Sequence, residues 1–339
     1  MVYKLDGGKV IDDDNNLFVE NLYVGELTTF TIERGETEGF TAGGLYSPPT
    51  VRYNTIDKFP FASDTNATDH GDLFYSITSG ANHSTADHGY VQAGINPSLP
   101  SPYASENHIQ RFPFASGTGS EDVGDVITGW TYDLTGCSSL SHGYAMGGNT
   151  PQFPEGGFYS NVVQKFQFGN SSNSVDVGNL TLGRSRLAGH TSDTHGYGSG
   201  GFTPPLTYTN VIDKFPFSTD ADATDVGDLV LGRQYTHGNQ SDAHGYTIGG
   251  LVPPNSTGVK NEIERFPFSS DGNASDVGDL ASAMYDGCGQ SSQTHGYLSG
   301  GRDPVYQNVI QKFLFSSSSN GTDVGDLTQA RVACTGHQV

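Results

Sequence analysis

Apolar residues in this chain fall in short alternating runs, and no stretch carries a helical period of any length. The clearest run is NVIDKFPF at 210–217. In an extended strand it puts Ile212 and Lys214 on one side and Asp213, Phe215 and Phe217 on the other. Apolar groups on both sides predict a strand buried on both faces. The run recurs, each time as a basic residue followed by F-x-F: at 58–61, 111–114, 165–168, 214–217, 265–268 and 312–315. Two other motifs keep step with it. H-G-Y-x-x-G-G stands at 142–148, 195–201, 244–250 and 295–301, with weaker copies at 38–44 (EGFTAGG) and 88–94 (HGYVQAG). V-G-D-L or a close variant begins at 24, 70, 123, 177, 226, 277 and 324, at spacings of 46, 53, 54, 49, 51 and 47.

A period of about 50 residues with short strands and Gly-rich turns predicts a β-propeller of four-stranded blades. In one unit, strand A lies within RSRLAGHTSDT at 184–194 and strand B is H-G-Y-x-x-G-G. A variable Pro-rich loop follows at 202–209, then strand C at 210–217. An acidic turn at 218–225 leads to strand D at V-G-D-L. Pro60, Pro113, Pro216 and Pro267 fall inside strand C and cannot donate to a ladder, so they mark a bulge or the end of C–D pairing.

Counting V-G-D-L gives seven blades. The segment VYKLDGG at 2–8 matches the Y-x-x-G-G part of the second motif, and ARVACTGHQV at 330–339 reads as a lone strand A. The expectation is a single all-β domain over 1–339, a seven-bladed propeller whose last blade is composite. That blade takes strand A from residues ~330–338 and strands B–D from residues ~2–30.

The double Gly closing strand B, the four-strand unit and the split terminal blade resemble kelch-type propellers. The particular wording T-H-G-Y-x-S-G-G, N-V-I-x-K-F-P-F and D-V-G-D-L is similar to repeat proteins of marine bacteriophages, which are treated as virion or tail-fibre-like proteins. The resemblance implies a non-enzymatic virion protein of a tail or head fibre, acting in host-surface attachment or virion assembly. Its partners would be other virion proteins or a host glycan. It would be located in the virion, or otherwise extracellular. A stand-alone glycan-binding lectin is the alternative, and an enzyme with an unrecognised site the third.

Composition narrows the partners. Acidic residues outnumber basic ones 37 to 16 in 339 residues, for a net charge of −21. Such a surface repels phosphate backbones and argues against nucleic acid. No apolar stretch reaches the ~20 residues of a membrane helix, and the opening MVYKLDGGKVIDDD predicts no signal peptide. Cys137, Cys288 and Cys334 are too few for a disulfide framework and read as small core residues.

Candidate chemistry is sparse. Lys58, Arg111, Lys165, Lys214, Arg265 and Lys312 precede the F-x-F motifs, one per unit, and read as structural ion pairs with the acidic turns, mostly buried. His88, His142, His195, His244 and His295 share one position. On blades packed about 10 Å apart they are too far apart to share a zinc ion with bonds of about 2 Å, so they read as turn residues bonded to nearby Ser or Thr. Asp220, Asp222 and Asp225 offer oxygens for a weak calcium site, against a plain turn; no other cofactor is expected. No G-x-S-x-G, H-E-x-x-H or phosphate-cradling loop is present.

The A–B and C–D turns are nearly constant between units, whereas the B–C and D–A loops vary. The variable side of the propeller is therefore the expected binding face. Its aromatic candidates are Tyr75, Trp130, Tyr132, Tyr235 and Tyr285 in D–A segments, and Tyr103 and Phe158 in B–C loops. Trp130, the one Trp, stands where other units carry Arg184, Arg233 or Arg331.

Overall fold

In a computed structural model of the chain, the described residues are Tyr3–Leu5, Lys9–Ile11 and Leu17–Phe18, and residues 35–339 except 97–104, 128–130, 151–157, 204, 206 and 254–257; the side chains of those first three segments and of 105, 106 and 158 are also outside the description. The chain divides into two compact units, Met1–Thr31 and Ile32–Val339. In the first, the three short strands form one antiparallel sheet in chain order.

The second unit is a six-bladed, kelch-like β-propeller of four-stranded antiparallel sheets. Strands A to D of blade 1 are Ala81–Ser84, His88–Ile95, Ser105–Pro113 and Glu121–Asp125. Those of blade 2 are Thr135–Ser138, His142–Met146, Val162–Gln167 and Val175–Asn179. Blade 3 has Ala188–Thr191, His195–Ser199, Val211–Pro216 and Thr224–Asp228; blade 4 has His237–Gln240, His244–Ile248, Glu262–Pro267 and Ser275–Asp279. Blade 5 has Cys288–Ser291, His295–Ser299, Val309–Leu314 and Thr322–Asp326. Blade 6 is composite: strand A is Thr335–Gln338, and strands B to D are Glu38–Ala42, Thr55–Pro60 and Thr68–Asp72.

Two expectations are corrected here. There are six blades, not seven. The closing strand comes from the C-terminal segment as expected, but it pairs with Gly39–Ala42 and not with the segment at 2–30. EGFTAGG is thus a working strand B; within the match at 2–8, Tyr3–Leu5 pairs with Lys9–Ile11, and the match at 24–27 lies outside the described residues.

The motifs have direct physical roles. In each blade the Tyr of H-G-Y lies against both Phe rings of F-x-F in the next blade. Tyr144 is 5.6 Å from Phe215 and 4.9 Å from Phe217, and Tyr246 is 5.6 Å from Phe313 and 4.7 Å from Phe315. Tyr90, Tyr197 and Tyr297 repeat the contact, and Phe40 supplies the ring from blade 6. Six buried apolar clusters result, one at each blade interface. The Gly of H-G-Y is required because a Cβ there would enter the first Phe ring of its own blade. The Gly of V-G-D holds φ between 148° and 157°, and a Cβ on it would press on a carbonyl of the next C–D turn. That approach lets each turn donate an N–H to the preceding strand D, as in Ala223 to Asn179 O (2.7 Å) and Ala67 to Asp326 O (2.8 Å). The bulge in each C–D pair falls before the basic residue, and the prolines close strand C beyond the last C–D pair.

Among the described residues, an Arg is fully buried in three blades, each time matched with a carboxylate. Arg184 pairs with Asp213 (3.0 Å) and Arg331 with Asp57 (2.9 Å), all four side chains fully buried; Arg233 pairs with Glu264. Each Arg comes from a D–A segment, and each carboxylate from strand C of the blade that follows. In the other three blades the carboxylate position holds Gln110, Gln164 or Gln311, and the Arg position holds Ile77, Thr131 or Met284. Thr131, not Trp130, occupies the Arg position: its carbonyl accepts from Gly94 as that of Arg184 does from Gly148. Trp130 itself lies outside the described residues.

A buried carboxylate without its cation costs about 3–5 kcal/mol. Arg184→Met alone should therefore destabilise by about that amount, whereas adding Asp213→Gln, which copies blade 5, should recover most of it. Chemical denaturation of the two single variants and the double variant measures the coupling. Deleting 335–339 should lower the melting temperature by about 10 °C or more, because it strips the inner strand from blade 6 and reopens the ring. Calorimetry of the truncated chain checks this.

Candidate ligand-binding face

Strand A of each blade packs against strand A of the next, with blade 6 returning to blade 1, so the six inner strands surround the axis. Just before each strand A one residue takes a left-handed conformation: Ser79, Asp133, Arg186, Tyr235, Asp286 and Ala333, with φ between 53° and 63°. The N–H of each donates to the carbonyl of its counterpart in the preceding blade, from Ser79 to Ala333 O (2.9 Å) round to Ala333 to Asp286 O (2.7 Å). Six backbone hydrogen bonds thus close a circle around the axis. The circle repays the left-handed strain and leaves the side chains free to vary.

These side chains line one end of an axial cavity of about 130 Å³. Deeper in, Gly136, Gly189, Gly238, Gly289 and Gly336 stand where a Cβ would collide with the neighbouring inner strand. Asn82 holds the sixth place and donates to Gly336 O (2.7 Å). At the far end, hydroxyls and amides bond to neighbouring backbone, as in Ser138 N–H to Thr191 Oγ1 (3.1 Å) and Gln240 N–H to Ser291 Oγ (3.0 Å).

The mouth is charged and aromatic. Asp133 and Asp286 come from blades 2 and 5, which face each other across the axis. Arg186 Nε donates to Asp133 Oδ2 (2.9 Å), and its guanidinium lies 4.5 Å from the Tyr235 ring centre. Asp286 makes no ion pair among the described residues. Burial, reinforced by the facing Asp133, raises its carboxyl well above the usual range. Burial also raises the Tyr235 phenol, keeping it protonated.

Aromatic side chains extend outward from this mouth, linked to it where the Arg186 guanidinium lies 5.9 Å from the Phe202 ring centre and where Tyr285 meets Tyr235. Several are carried by hairpins that extend strands B and C, such as Phe202–Thr203 with Thr207–Tyr208 and Leu45–Tyr46 with Val51–Arg52. Tyr159 lies 5.4 Å from Phe202, Phe202 5.7 Å from Tyr208, Tyr235 5.9 Å from Tyr285, and Tyr306 5.0 Å from Tyr46. Arg302 covers Tyr306 at 5.0 Å. No family model matches the chain, and no curated protein matches it.

Of the aromatic candidates from the sequence, Tyr235 and Tyr285 meet in this aromatic run. Tyr132 lies on the same face, and its phenol accepts from Asn149 Nδ2 (3.0 Å). Tyr75 does not line the cavity and instead stacks on His108 at 5.3 Å. Trp130 and Tyr103 lie outside the described residues, as does the Phe158 side chain. Asp133, Arg186, Asp286 and Phe202 escaped sequence reasoning. Three of them share one place in the repeat, six residues after the Leu or Val that follows V-G-D or one beyond, but that place has no constant residue type to betray it.

The six basic residues do not converge on this face. Lys165, Lys214 and Lys312 reach across to Asp220, Asp271 and Asp64 in the next C–D turn. Blades 1 and 2 have Gly117 and Ser171 at that turn position, and Lys58 and Arg111 pair within their own blades with Glu38 and Glu121. Arg265 faces a turn with Ser318 at that position and makes no ion pair among the described residues. The paired side chains are between 18% exposed for Lys165 and 31% for Lys58, so most of each is buried while its tip reaches solvent. The calcium candidates are each engaged by the protein. Asp220 pairs with Lys165, Asp222 accepts from Asn179 N–H, and Asp225 accepts from Gly227 N–H. Among the described residues no three His, Cys, Asp or Glu side chains gather into a metal site. The repeated histidines bond the A–B turn, as in His195 Nδ1 with Thr194 Oγ1 (2.8 Å).

Different histidines hold the inner strands together. His83, His190 and His337 bond the carbonyl of the next inner strand (3.1, 3.1 and 3.0 Å), and His237 accepts from Gly287 N–H. Burial lowers His83 and His190 to about 4 and His237 and His337 to about 3. The unfolded chain therefore binds protons that the folded chain refuses. Stability is fully present above pH 6.5 and is lost as pH falls toward 4, by about 1.4 kcal/mol per histidine per pH unit. The melting temperature should fall steeply over that window, and His190→Gln should make the fall shallower, as thermal scans from pH 7 to 4 will show.

Proposed function

We propose that the protein is a non-enzymatic binding propeller that takes a glycan on its D–A/B–C face, as a component of a bacteriophage tail or head fibre. The observation that carries the binding reading is the run of aromatic rings that leads out from a charged axial mouth. Sugar rings present apolar faces that stack on Tyr and Phe, and hydroxyls that pair with carboxyl, carboxylate and guanidinium groups. Asp286, Asp133 and Arg186 supply those polar partners within one mouth, and Phe202 beside Arg186 and Tyr285 beside Tyr235 carry rings outward from it, continued by Tyr159 and Tyr208. The six-bladed frame suits the task, because a rigid ring presents loops of variable content without itself rearranging. The fibre assignment rests on the wording of the repeats.

A glycan array with the intact protein tests the binding reading. Tyr285→Ala should weaken the binding of any hit about tenfold or more, a stacking loss of at least ~1.4 kcal/mol, while moving the melting temperature by only a few degrees. Binding unchanged in that variant moves the site off this face. Mass spectrometry of purified phage particles tests the fibre assignment. Glycan binding without the protein in particles leaves a stand-alone lectin, and turnover of a bound glycan leaves an enzyme.

A further inference from the structure

Two of the three cysteines meet beside the axis. Cys288 opens strand A of blade 5, and Cys334 directly precedes strand A of blade 6. Their Sγ atoms are 2.9 Å apart, although 46 residues separate them in the chain. Both residues are buried, and both line the axial cavity. Cys137 lies in blade 2, on the opposite side of the axis, among the apolar residues of the interface with blade 3. We propose that Cys288 and Cys334 form a reversible thiol–disulfide pair, oxidised by hydrogen peroxide, that latches the closing strand of the ring to blade 5.

The position gives the bond its consequence. Blade 6 exists only because Thr335–Gln338 returns to Gly39–Ala42, and this pairing is held by non-covalent contacts alone. A covalent bond at Cys334 would anchor the strand one residue before the pairing begins. If the strand frayed, it would stay tethered beside its place.

The surroundings favour Cys288 as the attacking sulfur. Gln290 Nε2 donates to its Sγ (3.4 Å), and the Ser299 hydroxyl (3.3 Å), the Thr41 hydroxyl (3.9 Å) and the Cys334 thiol surround it. Burial by itself raises this thiol. Hydrogen bonding with Cys334, Ser299 and Thr41, with the charge of Arg331, outweighs burial and lowers it. Cys137 has no such donors, and burial raises it. The cavity is a few water molecules in size, so a small oxidant fits where a peptide disulfide does not.

The chemistry balances without another reagent. The Cys288 thiolate attacks one peroxide oxygen; an S–O bond forms, the O–O bond breaks, and hydroxide leaves to become water. Cys334 sulfur then attacks the Cys288 sulfenic acid. The S–S bond forms, the S–O bond breaks, and the departing hydroxide takes the Cys334 proton as a second water. Two thiols are oxidised to one disulfide, and one peroxide is reduced to two waters.

The test uses the full chain, reduced, freed of reductant and then exposed to equimolar peroxide. Thiols counted after denaturation should drop from three to one. The intact mass should fall by about 2 Da, and peptide mapping should link Cys288 to Cys334. The oxidised protein should melt several degrees higher, and phosphine reductant should reverse the shift. Cys137→Ser should behave like the parent, and Cys334→Ser should leave a dimedone-reactive sulfenic acid on Cys288. Retention of three thiols in the unmodified chain, a link through Cys137, or a bond that leaves the melting temperature unchanged would each overturn the proposal. The thiol count and mass need no variant, so a misfolded substitution cannot hide the result.

Discussion

Everything in the propeller depends on one contact made six times: an aromatic ring of strand B laid against two Phe rings of the next blade. A four-stranded sheet with apolar residues on both faces cannot stand alone in water, and each blade therefore exists only between two others. Strand B has Gly before its Tyr because the first Phe of its own strand C fills the space. Strand D has Gly because the next turn must come close. The repeat motifs are the sequence imprint of these packing demands, and this is why they are so nearly constant.

Buried polarity obeys a second rule, matched pairing within each blade. Where an Arg enters from the D–A segment, Asp or Glu waits in strand C. Where Ile, Thr or Met enters instead, strand C carries Gln. Either arrangement fills the same space and satisfies the same neighbouring N–H groups; Gln164, for example, accepts from Ile127 and Asp213 from Thr181. A mixed arrangement would strand a charge in the core, and none occurs among these six blades. The outer ion pairs follow the same logic at a partly exposed site, where failure is cheap, and there Arg265 goes without an ion pair among the described residues.

At the axis the order of constraint is reversed. The circle of six hydrogen bonds uses only backbone atoms, so it fixes the position of one residue per blade without fixing its type. Ser, Asp, Arg, Tyr, Asp and Ala occupy that place, and they give the mouth its charge and its aromatic character. A frame held by main chain, with free choice of side chain at its opening, is a physical basis for evolving a binding site without disturbing the fold.

The sequence alone determined the all-β class, the four-stranded blade, the order of its strands and the use of the C-terminal segment to close the ring. These follow from alternation and from motifs whose residue types are dictated by packing at short range. It also marked the variable face, through loops such as those carrying Tyr235 and Tyr285. The blade count was not legible. VGEL at 24–27 and VYKLDGG at 2–8 look like pieces of a repeat, and only the long-range pairing of Gly336 with Thr41 decides which strand B the closing strand joins. The meeting of Cys288 with Cys334, and of Asp133 with Asp286 across the axis, was equally invisible. Such encounters depend on how many blades divide the circle, a number that side-chain patterns within one blade do not encode.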